Sequence, residues 1–133
     1  MRTTIIKIRK VKIKMTKKCK HLVKEAFDSC MKDLRTLFNA ENQQTEDLGS
    51  LDEYALSIDK VDAGTFKGQR EDYYRYQLSW GGPSEEFRLY KNGDIEFWYL
   101  DWFDGACVGV DGEDADIIRE IISMEFPEVL RCS

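Results

Sequence analysis

Apolar residues between positions 16 and 39 recur at the spacing of one face of an α-helix. They are Leu22, Val23, Ala26, Phe27, Cys30, Met31, Leu34, Leu37 and Phe38. Residues three and four apart lie on the same side of a helix, so these side chains form one broad stripe opposite charged residues such as Lys24 and Asp28. The pattern predicts an amphipathic helix that begins at Thr16, ends at Asn39 and packs its stripe on the core.

Most of the aromatic residues lie between positions 72 and 106, where three consecutive strands are predicted. Asp72–Trp80 is rich in residues that suit a pleated surface, and the glycines and proline that follow it favour a turn. Glu86–Lys91 leads into Asn92-Gly93, a pair that tolerates positive φ at both centres of a two-residue hairpin. The third strand follows this hairpin turn, and Asp101 and Asp104 flank Trp102-Phe103 at its end.

A two-residue turn at Asn92-Gly93 sets the predicted register of this hairpin. With Lys91 opposite Asp94, the pairs on one side are Tyr90–Ile95, Arg88–Phe97 and Glu86–Tyr99, and those on the other are Leu89–Glu96 and Phe87–Trp98. Both sides would then carry large apolar groups. Such a ribbon is either covered on both sides or leaves one aromatic face open to a partner.

Residues 1–15 partly alternate apolar and basic side chains. Thr3–Lys14 predicts a lysine-rich edge strand, because charged edges resist uncontrolled strand pairing. The alternatives are a disordered basic tail and a natural start of the protein at Met15.

Two shorter segments and a second helix complete the prediction. Glu41–Ser50 is polar and predicts a loop, whereas Leu51–Val61 alternates as a strand, with a helical stripe as the alternative. Ala106–Val110 is a short final strand. Asp111 then caps a helix that Pro127 stops. Its apolar stripe is Ala115, Ile118, Ile121 and Ile122.

Strands in succession with a helix at each end indicate an α+β fold. We predict an antiparallel β-meander of about four to five strands packed by an N-terminal and a C-terminal helix. The length of 133 residues suits a single domain over 1–133, with a basic N-terminal strand or arm at 1–15.

Charge is distributed unevenly along the chain. Residues 1–20 hold nine Lys or Arg and no acid, whereas the other 113 residues hold eleven Lys or Arg and all 25 acids, a net charge of −14. Such a field repels nucleic acid and membrane surfaces and favours docking on a basic protein surface. The chain has no run of eighteen apolar residues and no signal-peptide core, so a cytoplasmic location is expected. Cys19, Cys30, Cys107 and Cys132 form no CxxC pair and are expected to be reduced thiols.

Catalytic signatures are absent from the sequence. The one histidine, His21, lies at the entry to the first helix, where a structural role is expected, and no nucleotide, hydrolase or metalloprotease motif occurs. Asp101 and Asp104 flank an aromatic pair, and their carboxylates are the candidates for a metal-assisted site. No EF-hand pattern is present, so we expect a non-enzymatic protein without cofactor or bound metal.

Acidic and aromatic residues are therefore the candidates for binding a partner. The predicted binding residues are Tyr74, Tyr76, Glu85, Glu86, Trp98, Asp101, Asp104, Asp114 and Asp116. Few basic residues accompany the aromatic ones, which favours a protein partner over RNA.

Two blocks, YRYQLSWGGPSEEFRLY over 74–90 and IEFWYLDWFDGA over 95–106, resemble a family of small bacterial proteins often associated with phages, plasmids and integrated elements. The resemblance implies that the chain is an accessory protein of a mobile element, and such proteins commonly block host defence. The leading hypothesis is an acidic inhibitor, of the anti-CRISPR or anti-restriction type, that occupies the nucleic-acid-binding surface of a host protein. The alternative is a small metal-assisted enzyme or ligand-binding domain that uses acids near Asp101 and Asp104.

Overall fold

The computed structural model describes residues 2–81, 83–101 and 104–131, with the side chains of 19–129 within those ranges. The helices are α1 (Arg2–Asn39), α2 (Leu51–Tyr54), α3 (Gly112–Glu125) and α4 (Pro127–Arg131), with a 3-10 turn at Glu41–Gln43. The strands are β1 (Gln44–Thr45), β2 (Gly49–Ser50), β3 (Ser57–Val61), β4 (Tyr73–Ser79), β5 (Ser84–Tyr90), β6 (Ile95–Asp101) and β7 (Asp104–Val110). Over these ranges, no helix has both the length and the apolarity needed to cross a membrane.

Strands β3 to β7 form one five-stranded antiparallel sheet in which each strand pairs with the next along the chain. Helices α1 and α3 pack on one face, which we call the inner face, and the opposite face is the outer face. The predicted α+β meander with an N-terminal and a C-terminal helix is confirmed. Each of the strands β4 to β7 has seven residues.

The core lies between the inner face and the two helices. Six of the nine apolar stripe residues of α1 are buried, and the ring of Phe27 contacts the rings of Phe87 and Phe97 at centroid distances of 6.5 and 5.6 Å. Aromatic rings at these separations attract one another beyond their apolar burial. From α3, Ala115, Ile118, Ile121 and Ile122 complete the same core. The periodicity of both helices therefore identified the residues that hold the two layers together.

The strand predicted at Thr3–Lys14 is wrong, because α1 runs without a break from Arg2. The apolar and basic alternation fails at Lys10, and Ile5, Ile8 and Val11 recur every three residues, a spacing that a helix accommodates. The helix thus begins well before Thr16.

The predicted register of the β5–β6 hairpin is wrong by one residue. Gly93 N–H donates to the Tyr90 carbonyl at 3.0 Å, and Tyr90 N–H donates to the Asp94 carbonyl at 2.9 Å, so the loop has three residues. Only Gly93, at φ +98°, has positive φ in this loop, as in a type I turn followed by a glycine bulge. The observed pairs are Leu89–Ile95, Phe87–Phe97 and Glu85–Tyr99 on the inner face, and Arg88–Glu96 and Glu86–Trp98 on the outer face. A shift of one residue moves every side chain to a different partner, and here it separates an apolar face from a polar and aromatic one.

The segment predicted as one strand over Leu51–Val61 divides into α2 and β3. Ser50 Oγ donates to Glu53 Oε1 at 2.9 Å, a side-chain contact across the first turn that favours the helix. Tyr54 then donates its hydroxyl to Asp33 Oδ2 of α1 at 2.9 Å. The alternation was therefore correct only for residues 57–61.

Candidate functional site

Two arginines lie opposite each other in the middle of the outer face. Arg75 of β4 pairs in register with Arg88 of β5, and the same row continues to Asp59 on one side and Glu96 on the other. Like charges directly opposite each other destabilise a sheet unless carboxylates offset them. Arg75 donates from Nε and Nη2 to the two oxygens of Asp59 at 3.1 and 2.8 Å. This fork geometry fixes the plane of the guanidinium group.

Arg88 is held from three sides. Its Nε donates to Glu86 Oε2 at 2.7 Å, and its guanidinium carbon lies 4.0 Å from the ring centroid of Trp98 and 4.8 Å from that of Tyr73. The side chains of Arg88 and Glu86 are only 16% and 4% exposed. Guanidinium groups stack favourably on aromatic faces, most of all where water is excluded. The outer face thus contains a prearranged ion pair with a buried carboxylate and a half-buried guanidinium group.

Glu96 is fixed by two further donors. The hydroxyl of Tyr90 and the indole Nε1 of Trp98 both donate to Glu96 Oε1, at 2.7 and 2.9 Å. Burial, together with the Glu96 carboxylate, raises the pKa of Tyr90, so its hydroxyl stays protonated and remains a donor. This network orients the Trp98 ring beside Arg88.

A cleft of about 810 Å³ lies over this face and is walled by the loop over 66–71. Its rim carries two exposed rings, Trp80 at 61% and Phe66 at 49% exposure. A β-bulge between Gln77 and Ser79 precedes Trp80, whose ring lies 5.6 Å from the Arg75 guanidinium carbon. Bulges redirect the side chains near them, and this one accompanies an exposed tryptophan that lines the cleft.

Tyr73 contributes a buried hydroxyl at the cleft. The residue is 2% exposed and lines the cleft, and its hydroxyl has no hydrogen-bond partner among the described residues. A buried polar group without a partner is costly, and such groups are few in native proteins.

The sequence-predicted binding residues divide between the two faces. Glu86 and Trp98 lie in the cleft, whereas Tyr74, Tyr76 and Glu85 lie on the inner face beneath the helices. Tyr76 is fully buried in the core, so no partner can reach it from outside. Burial raises the pKa of Glu85. The three aromatic residues among the predicted binding residues, Tyr74, Tyr76 and Trp98, therefore do not form one surface.

Asp101 and Asp104 lie opposite each other in the backbone register of β6 and β7, at the end of that hairpin. Burial, and to a smaller extent the neighbouring Asp104 carboxylate, raise the pKa of the Cys19 thiol to about 11, so it is protonated at neutral pH. Within the described residues, no three His, Cys, Asp or Glu side chains converge in a way that could hold a metal ion.

Acidic residues are concentrated on the helical side. The segment 39–56 carries five acids and no basic residue, and the segment 111–128 carries seven acids and one arginine. We call these two segments the acidic surface. They adjoin, because Gln43 Nε2 lies 4.0 Å from Met124 Sδ. Burial, and then the nearby Asp52 carboxylate, raise the pKa of Glu125 to about 7.

Two arginines partly offset the negative charge of the acidic surface. Arg35 of α1 donates to Glu113 at 2.7 Å and also to Asp114, and Arg119 donates to Asp116 at 3.4 Å. The predicted binding residues Asp114 and Asp116 are thus both paired within the chain, and Asp116 remains largely exposed.

Sequence reasoning missed the residues that build the cleft, namely Tyr73, Arg75, Arg88, Tyr90 and Glu96. The sequence did indicate this face, because Tyr73, Arg75 and Gln77 occupy alternate positions of β4 and so lie on one side of the strand. The one-residue error in the hairpin register concealed it, because it placed Arg88 beside Phe97. Comparisons of the chain with protein-family models, curated proteins and solved structures find no match.

Proposed function

We propose that this chain is a non-enzymatic binding protein that acts in the cytoplasm by occupying the basic, nucleic-acid-binding surface of a host defence protein. The observation that carries the proposal is the acidic surface, where two adjoining segments hold twelve acids and one arginine. A surface of this kind attracts cationic protein surfaces and repels nucleic acid.

The mobile-element resemblance of the blocks over 74–90 and 95–106 suggests the biological context. An accessory protein that places carboxylates where a nuclease or CRISPR effector binds phosphates would block that effector without any chemistry. Carboxylates held on a helix present fixed negative charges in a row, and α3 carries Glu113, Asp116 and Glu120 at successive turns.

Partner capture from a host lysate, followed by rate measurements with the purified partner, tests the proposal. We expect association to slow steeply between about 50 and 200 mM salt, since exposed charges are screened over that range. Reversing Asp116 and Glu120 to lysine should slow association about tenfold or more. Both side chains are exposed, so the domain should still fold.

A matched control reverses Asp62 and Glu71, two exposed acids in the β3–β4 loop, to lysine. This variant has the same change in net charge at a different place. Equal slowing in both variants would indicate a general charge effect and contradict a specific acidic surface. Partner binding that is indifferent to salt, or tight binding of the chain to duplex DNA, would overturn the proposal.

A further inference from the structure

The outer-face cleft contains more ordered polar and aromatic contacts than a sheet face exposed only to water requires. It combines an ion pair with a buried carboxylate, a guanidinium group between two rings and a buried tyrosine hydroxyl without a partner. Ordering and desolvating these groups costs free energy, and contacts that a ligand makes with them would offset part of that cost. The cleft therefore has the features of a binding site that is prearranged before its ligand arrives.

The composition of the cleft indicates the kind of ligand. Tryptophan, tyrosine and arginine dominate the binding hot spots of protein interfaces, and the cleft contains two tryptophans, two tyrosines and three arginines: Trp80, Trp98, Tyr73, Tyr90, Arg70, Arg75 and Arg88. The exposed rings of Trp80 and Phe66 offer apolar contact at the rim. A ligand with large apolar side chains would cover both rings.

Charge distinguishes this site from the acidic surface. The cleft lining carries four basic residues and four acidic ones, Lys67, Arg70, Arg75 and Arg88 against Glu71, Glu86, Asp94 and Glu96. Both central arginines are already paired, with Asp59 and Glu86. A phosphate-bearing ligand would meet the carboxylates of Glu86 and Glu96, and a strongly basic one would meet the arginines. The balance favours a ligand without net charge.

Arg75 has a hydrogen-bond donor in the cleft that no described residue uses. Arg75 binds Asp59 through Nε and Nη2, and its Nη1 makes no hydrogen bond to a described residue. The Tyr73 hydroxyl, by contrast, is unpaired within the described part of the chain but buried, so a ligand in the cleft does not reach it. A peptide backbone offers carbonyl acceptors, so it can accept a hydrogen bond from Arg75 Nη1.

We infer that the cleft binds an extended, uncharged segment of a partner protein that is anchored by large apolar side chains. The cleft lies on the opposite side of the sheet from the acidic surface and does not depend on it. Binding there is expected to be insensitive to salt, because the contacts are apolar rings and hydrogen bonds within a neutral site.

Titration of the ¹⁵N-labelled full chain with capped pentapeptides, followed by NMR, tests the inference. The probes are an alternating serine and phenylalanine peptide and two versions in which lysine or glutamate replaces the serines. The neutral peptide should shift the indole signals of Trp80 and Trp98 and the Nε signal of Arg75 saturably, with an affinity at least threefold above those of both charged versions and unchanged from 50 to 200 mM salt.

Trp80→Ala removes an exposed ring and should weaken binding of the neutral peptide at least tenfold while leaving the rest of the spectrum in place. Met124→Ala is the matched control, because it removes an exposed apolar side chain on α3, away from the cleft. No saturable shift, shifts that map outside the cleft, tighter binding of a charged peptide or equal effects of the two variants would overturn the inference. None of these results bears on the salt-dependent partner of the acidic surface.

Discussion

Glu86 and Arg88, two residues apart on β5, form an ion pair on the outer face whose carboxylate is almost wholly excluded from solvent. Alternate residues of a strand point to the same face, so the pair needs no turn or second element to meet. Removing one partner of a buried pair leaves an uncompensated charge, whereas replacing both partners with apolar groups is often neutral.

Arg88→Met should therefore lower the free energy of unfolding by about 3–5 kcal/mol. The double variant Arg88→Met with Glu86→Met should recover most of that loss. Urea denaturation of the two variants and the parent measures both values. A double variant no more stable than Arg88→Met would show that stacking of the guanidinium on Trp98 and Tyr73 matters more than its charge.

Asp28→Asn supplies the control for an exposed pair. Lys24 Nζ and Asp28 Oδ1 lie 2.7 Å apart, but their side chains are 66% and 59% exposed. Solvent screens such pairs, so the loss should be about 0.5 kcal/mol or less.

Gly93 is required by the three-residue turn between β5 and β6. Its φ of +98° is strained for any other residue, and a Cβ added there meets no atom within 4 Å, so the cost is purely conformational. Gly93→Ala should destabilise the fold by about 1–2 kcal/mol. Gly109→Ala on β7 is the control, because that position also has open space around a Cβ but no positive φ. Equal stability of the two variants in thermal or urea unfolding would contradict this account.

The part of α1 from Thr16 onward, helix α3 and the order of the strands β4 to β7 could be predicted from the sequence, because periodicity reports which side of an element faces the core. Phe27 and Ile118 were identified in this way, and both are buried. The cleft could not be predicted, because it depends on the register across β4, β5 and β6. Asn92-Gly93 fits both a two-residue and a three-residue loop, and the Asn92 side chain, which accepts from Asp94 N–H at 3.0 Å, accompanies the longer one. One residue in that loop decides whether Arg88 lies beside Phe97 or beside Glu96.

Thiol reactivity should differ sharply among the cysteines. Cys19, Cys30 and Cys107 are free, and only Cys107 of these three is exposed. In a Cys132→Ser background, we expect a thiol reagent to label one cysteine in the folded chain and three after unfolding. Burial, and then the charge of Glu96, raise the pKa of Cys107, so labelling at neutral pH should be slow and should accelerate as pH rises. Rapid labelling of Cys30 in the folded state would contradict the buried position of α1.

Glu125 should make stability depend on pH. Burial, and then the Asp52 carboxylate, raise its pKa in the folded chain from 4.5 to about 7. One of its oxygens is buried without a hydrogen-bond partner among the described residues. Between these two pH values the folded state binds more protons than the unfolded state, so the contribution of Glu125 to stability falls as pH rises from 4.5 to 7.

Glu125→Gln keeps the shape of the protonated side chain and removes the titration. The variant should match the parent near pH 4.5 and be more stable than the parent at pH 8, as measured by urea midpoints at the two pH values. Asp52→Asn should lower the pKa of Glu125 toward its ordinary value, which carboxyl NMR measures directly. A Glu125→Gln variant that is less stable than the parent at pH 8 would mean that the ionised carboxylate is favourably paired, and the acidic surface would then be less negative than the two adjoining segments indicate.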